Sequence, residues 1–372
     1  MAQRWRTALL MLLAAAGTAL AQPATLVVGQ TSGITGPAAA GVKENIDGAK
    51  MYFDAVNAAG GVNGRKIELV TLDDRFDPKL AAENARKLIT ERSAIALFMN
   101  RGTPHTEAIR PLLDQYEVPL VAPSTGAMAL HKPVHPWIFN VRATYQREAE
   151  KAVTHLATVG IERIGLAHVD DSFGADGASG ALRGFELAKR KPVFLEKFDR
   201  SKPDLAAMVK QAAAGDAQAV VFIASAAVVA EGTKLLRGAG SKAQIVTLSN
   251  NASSGFVKQM GEFATGTIVT QVFPPERSMT TGFIRQANEL AKAAGLPEVT
   301  PAMLEGFAGA KVLVEGLKRA GPNPTRAGLQ AALNTFRRFD IGGLEVSFSA
   351  SDHSGLDFAD LSIIGSDGRF RR

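Results

Sequence analysis

Short apolar runs alternate along the chain with longer segments whose apolar residues recur every three or four positions, the mixed signature of buried strands and amphipathic helices. Thr25-Leu26-Val27-Val28-Gly29 predicts a first strand. Val42, Ile46, Ala49, Phe53 and Val56 then fall on one face of a helix. Gly60-Gly61-Val62-Asn63-Gly64 makes a turn, and Lys66 to Leu72 a second strand. Asp77-Pro78 opens the next helix, with a side-chain acceptor at the N-cap and a proline where the backbone N–H is not needed. Ala94 to Met99 and Val118 to Ala122 are further buried strands, each feeding a helix-length segment. Crossovers of that length join parallel strands, so the pattern predicts a doubly wound α/β unit.

The rhythm restarts after Trp137 to Val141, with strands expected at Arg163 to Val169, Val193 to Phe198, Gln218 to Ala224 and Ala243 to Leu248. It breaks at Pro274-Pro275. Long helices fill Thr280 to Phe336, and two strands, Leu344 to Phe348 and Phe358 to Ile364, close the chain. A helical tail of this kind must complete one or both α/β halves to bury its apolar faces. The length, 372 residues, fits two domains, and 46% hydrophobic with 21% charged residues excludes a disordered, collagenous or coiled-coil chain.

The formal charge is +6, of which Arg4 and Arg6 supply two, and the remaining charges are scattered. Nucleic-acid binding needs a clustered basic stripe, which is absent here. With no cysteine, a disulfide scaffold, a thiolate zinc site, a cysteine nucleophile and a lipid-modified N-terminal cysteine are excluded. Met1 to Ala21 carries the parts of an export leader: Arg4 and Arg6, the apolar run Ala8 to Ala16, and Ala19-Leu20-Ala21 as a small-x-small cleavage pattern. The run is shorter than the roughly 20 residues that span a bilayer. The expected product is cleaved after Ala21 and released into the periplasm.

Candidate chemistry is sparse. The sequence has no G-x-S-x-G elbow, H-E-x-x-H pair or phosphate loop. Gly174, Gly177 and Gly180 lack the dinucleotide spacing and read as positions of close helix packing. Pro133 and Pro136 break any helix that would align His131 with His135 on a metal, and no cofactor is expected. Asp73-Asp74 and Asp170-Asp171 read as turn and cap residues more than as general acids. Two strand ends carry helix-start signals, Thr103-Pro104 and Pro123-Ser124-Thr125-Gly126-Ala127. Both are either ordinary caps or a pair of helix starts aiming N–H groups and hydroxyls at one anion beyond the sheet edge.

The ordered pieces Thr31 to Pro37, Gly60 to Gly64, Asp73 to Pro78, Pro123 to Ala127 and Asp171-Ser172-Phe173-Gly174 together resemble the branched-chain amino acid family of periplasmic substrate-binding proteins for ABC importers, over essentially all of the mature chain. The resemblance implies a type I periplasmic-binding-protein fold: two doubly wound α/β lobes joined by a three-crossover hinge. It divides the chain into a leader (1–21), a first lobe (22–141 with 274–340) and a second lobe (142–273 with 341–372). It implies a monomer that captures a small ligand, is not an enzyme, and docks on permease subunits in the inner membrane.

Carried over residue by residue, the resemblance places Thr103, Ser124, Thr125, Gly126 and Ala127 on a ligand carboxylate and Phe173, Ala226 and Asn250 on the opposite wall. Arg101 and Tyr145 stand at strand and crossover ends within reach of the cleft. Departures from the family pattern fall in the second lobe. No acidic residue stands at Ser249-Asn250-Asn251 to hold an ammonium, Ser225-Ala226-Ala227 replaces an aromatic, Phe173 lacks a hydroxyl, and Arg75 stands near a family cysteine. Burying an unpaired ammonium costs several kcal/mol, so these departures favour a small organic acid, aromatic acids included, over an amino acid. A ligand sensor on the same fold and an exported enzyme using Asp170, Asp171 or a histidine are the competing readings.

Overall fold

The computed structural model describes residues 25–372; the expected leader, 1–21, lies outside the described residues. The first half runs β1 (Leu26–Ser32), α1 (Ala39–Ala58), β2 (Ile67–Asp73), α2 (Pro78–Thr90), β3 (Ala96–Phe98), α3 (Thr103–Tyr116), β4 (Leu120–Val121) and β5 (Ile138–Phe139). Its strands form one parallel sheet in the order β2-β1-β3-β4-β5. The order reverses at β1, and open α/β sheets form their ligand crevices beyond such a reversal. Asp77 caps α2 as expected, accepting from Lys79 N at 2.7 Å and Leu80 N at 3.2 Å.

The second half continues with α4 (Tyr145–Thr158), β6 (Ile164–Val169), α5 (Ser172–Leu187), β7 (Leu195–Phe198), α6 (Ala206–Ala214), β8 (Ala219–Ile223), α7 (Ala226–Gly238), β9 (Gln244–Thr247), α8 (Ser254–Met260) and β10 (Ile268–Gln271). The tail follows as α9 (Gly282–Ala293), α10 (Pro301–Arg319), α11 (Arg326–Leu333), β11 (Phe339–Asp340), β12 (Glu345–Val346), β13 (Asp360–Ile364) and β14 (Phe370–Arg371). The second sheet has the order β14-β13-β10-β9-β8-β6-β7, parallel from β10 to β7 and antiparallel where β13 and β14 complete one edge.

The chain crosses between sheets after β5, after β10 and before β13. Residues of α1, α9, α10 and α11, including Phe53, Phe283, Phe307 and Leu329, share the first lobe's core with Phe98 of β3, and a separate cluster joins Leu88 of α2 and Leu113 of α3 to Leu97. Another core, around Phe185, Phe222 and Phe256, belongs to the second lobe. Residues 341–356 do not go with the second lobe as expected. Ile341, Val346, Phe348 and Leu356 are buried in the first core, and the Phe348 ring lies 5.3 Å from that of Phe139. Hairpin β11–β12 covers apolar surface that the tail helices leave open, and the chain returns to the second lobe only at β13.

Candidate functional site

The cavity between the lobes is built from the segments that follow strand carboxyl ends. Pro37 to Gly41 follow β1, Phe76 follows β2, Arg101 to Thr103 follow β3, and Ser124 follows β4. Facing them, Phe173 follows β6, Arg200 follows β7, Ser225 and Ala226 follow β8, and Asn250 and Asn251 follow β9, while Tyr145 rises from the first crossover. About 40 Å³ is left free between these walls, room for about three waters. The space is narrow because Arg101 reaches across it.

Of the residues expected at the site, Arg101, Thr103, Ser124, Tyr145, Phe173, Ala226 and Asn250 share this wall. Thr125, Gly126 and Ala127 do not. Thr125 is fully buried behind it, its hydroxyl 2.8 Å from that of Thr103. Gly126 lies under the first crossover, where a Cβ would come within 2.6 Å of Ala143 O. Ala127 leads only into a single 3₁₀ turn, Met128–Leu130, so the long helix expected there does not form. The N–H of Met128 donates to Asp176 Oδ1 at 3.0 Å, away from any shared anion site. Thr103 is likewise not a cap. Gly102 holds that position at φ 104°, and Thr103 begins the helix. A Cβ on Gly102 would also lie 2.5 Å from the His105 ring. The sequence reading missed Phe76 and Arg200. Phe76 stood beside the recognised Asp77-Pro78 start, whereas Arg200 follows a strand whose loop carried no motif.

Arg101 Nη1 donates to Asn45 Oδ1 at 2.8 Å, and its Nη2 donates to the main-chain oxygen of Asn250 in the opposite lobe. Asn45 is anchored in turn, donating to Ala302 O at 2.9 Å and Glu305 Oε2 at 3.3 Å. Arg101 is 8% exposed, yet among the described residues it forms no ion pair with a carboxylate. The other cleft cations are matched. Arg200 pairs with Asp171 and sits 5.3 Å over the Phe76 ring. Arg142, on the first crossover, pairs with Glu148, donates to Ser249 Oγ at 2.8 Å and lies 4.5 Å over the Tyr145 ring. Burial pushes the Tyr145 hydroxyl upward against the pull of Arg142 and Arg101, so it stays protonated and available as a donor. Burial also pushes His105 down to about 4, leaving a neutral ring whose centroid lies 4.4 Å from that of Phe76, the two planes tilted by 31°. Among the described residues, no aspartate or glutamate lines the cavity.

Polar bonds tie the lobes together around this space. Glu44 of α1 accepts from Ser254 N at 3.2 Å, Ser254 Oγ at 2.8 Å and Gly255 N at 3.0 Å, covering the start of α8 from across the cleft. Ser172 Oγ donates to Glu107 Oε2 at 2.7 Å, and Asp176 receives Met128 N. Each lobe therefore supplies carboxylates that satisfy free helix-start donors of the other.

Two hinged α/β lobes with a cationic, hydroxyl-lined cleft define a ligand-binding protein in form. Residues 25–358 match the sequence profile of a family described as periplasmic binding protein. An amino acid binding protein of Pseudomonas aeruginosa is 25% identical over 200 residues, 54% of each chain, so the match spans about half of that relative's length. The Leu/Ile/Val-binding protein of Escherichia coli K12 is 23% identical over 263 residues, 70% of each chain. The crystal structure of a substrate-binding periplasmic protein from Ralstonia solanacearum superposes with a TM-score of 0.85 at 30% identity, covering 93% of this chain and 99% of that one. The chain belongs to the periplasmic binding protein family, and its two lobes have the type I fold of that family.

Proposed function

We propose that this protein is the periplasmic solute-binding component of an ABC importer, that it captures a small carboxylate-bearing ligand between its lobes, and that it delivers the ligand to permease subunits in the inner membrane. The observation that carries the ligand class is Arg101: a guanidinium nearly closed off from solvent, facing the cavity, with no ion-pair partner among the described residues. A ligand carboxylate supplies the missing charge through charge-assisted, bidentate hydrogen bonds in place of the Asn250 carbonyl. The Thr103 and Ser124 hydroxyls on the same wall support it. The leader pattern at 1–21 fits export, and mass spectrometry of the secreted protein is expected to place its N-terminus at Gln22.

Binding rather than turnover is the activity. In isothermal titration of the monocarboxylate that most stabilises the protein, Arg101→Ala is expected to weaken affinity at least tenfold, about 1.4 kcal/mol. An unchanged Kd removes Arg101 from the site.

A further inference from the structure

Within the cavity wall one acceptor has no donor. Asn250 Nδ2 donates to Ala224 O at 3.0 Å and to Asn251 Oδ1 at 3.2 Å. Asn251 is itself locked, its Nδ2 donating to Ala224 O at 3.1 Å and Thr247 Oγ1 at 2.9 Å. Turning the Asn250 amide over would set its oxygen against two acceptors, so the positions of its nitrogen and oxygen are decided by these partners. The remaining atom, Asn250 Oδ1, is shut off from solvent with no donor among the described residues.

Its neighbour is the unpaired cation. The main-chain oxygen of the same Asn250 receives Arg101 Nη2, which sets acceptor and guanidinium side by side on one residue. A molecule that answers both carries a carboxylate for Arg101 and, close to it, a hydrogen-bond donor for Asn250. That donor is an ammonium or a hydroxyl. Among the described residues, an ammonium would enter a wall holding two guanidiniums, Arg101 and Arg200, and no carboxylate. Asp171 is paired with Arg200 and Glu148 with Arg142, while Glu305, 3.8 Å from Arg142, accepts from Asn45 and lies outside the cavity wall. A hydroxyl brings the donor without the charge. Resting on the carboxylate reading of this site, we infer that the ligand is a hydroxylated carboxylic acid, and that Asn250 selects its hydroxyl over the amine of the corresponding amino acid.

Two matched sets of probes test this on the wild-type protein by calorimetric titration: 4-methylpentanoate, 2-hydroxy-4-methylpentanoate and leucine; and phenylacetate, mandelate and phenylglycine. In at least one set the hydroxy acid is expected to bind at least tenfold more tightly than both the unsubstituted acid and the amino acid. Asn250→Asp is expected to weaken the hydroxy acid at least tenfold and to strengthen the amino acid, because a carboxylate then faces the donor. Equal affinity for acid and hydroxy acid overturns the selection by Asn250 while leaving the carboxylate reading in place. Tightest binding of the amino acid to wild type overturns the preference for a neutral donor, and binding of no carboxylate in either set overturns the carboxylate reading itself. The wild-type series decides the matter even if the variant fails to fold.

Discussion

Asp74 is a fully buried carboxylate at the end of β2, accepting from Phe76 N at 2.9 Å and from the Thr31 hydroxyl at 3.1 Å. Burial, with Asp73 and Asp77 nearby, raises its pKa to about 6 despite those bonds. Ionisation is therefore harder in the folded state than in the unfolded one. The cost is absent below about pH 4, grows as pH rises, and is complete above about 6. Asp74→Asn keeps an oxygen for the Phe76 N–H, turns its amide nitrogen to the Thr31 hydroxyl, which can accept as well as donate, and removes the charge. Urea unfolding is expected to find it more stable than wild type at pH 7.5 by roughly 1–3 kcal/mol, with the advantage vanishing towards pH 4; a variant equally stabilised at both values would contradict this. At this scale the sequence was readable where a side chain acts on its own neighbourhood. Asp77 caps, and Asp73 and Asp171 bond to N–H groups within a few residues of themselves, as their positions suggested. Thr103 misled, because its hydroxyl serves Thr125 across the sheet edge and leaves the cap to Gly102.

Helices α1 and α10 show how closely two elements approach when glycines face each other. A Cβ on Gly48 would collide with the backbone of Met303, and one on Gly306 with the backbone of Asn45. Asn45, which holds Arg101, lies in this contact and donates to Ala302 O. Gly48→Ala is expected to destabilise the protein by about 1–3 kcal/mol in urea, since backbone cannot shift out of the way as a side chain can. Gly238→Ala, at the end of α7 with nothing within 4 Å of its Cβ, is the control and is expected to be neutral or slightly stabilising. Equal effects would place the α1–α10 contact elsewhere. Strand β10 was one of the elements the apolar pattern missed, with the two-residue strands β11 and β14. Thr270 and Gln271 are buried inside the second sheet, on a strand flanked by β13 and β9, and bond to Glu148 and Ser362, so polar residues occupy positions that hydropathy assigns to loop. Partners from 122 and 91 residues away supply what the local sequence does not announce.

In the whole molecule, two sheets bring the loops after eight strands to one cleft, and three crossovers join the lobes. The parallel architecture was legible because each apolar run was followed by a helix-length crossover. The assignment of 341–356 was not, since a short hairpin carries no mark of which core its few apolar residues will join. Arg101 was legible as a candidate from its place after β3, but its significance comes from what surrounds it: Asn45 and Asn250 as neutral partners, and carboxylates committed to other cations.

The ligand proposed for this cleft is an acid without an amine. Thermal unfolding of the mature protein, refolded to remove any bound ligand, against a panel of monocarboxylates and amino acids tests it most directly. A ligand present at 100 times its Kd stabilises by about 2.7 kcal/mol. Carboxylic acids lacking an amine are expected to raise the midpoint, while leucine, isoleucine and valine leave it in place. A midpoint raised by leucine, isoleucine or valine alone would contradict it and show that the site holds an ammonium with no acidic residue in its wall.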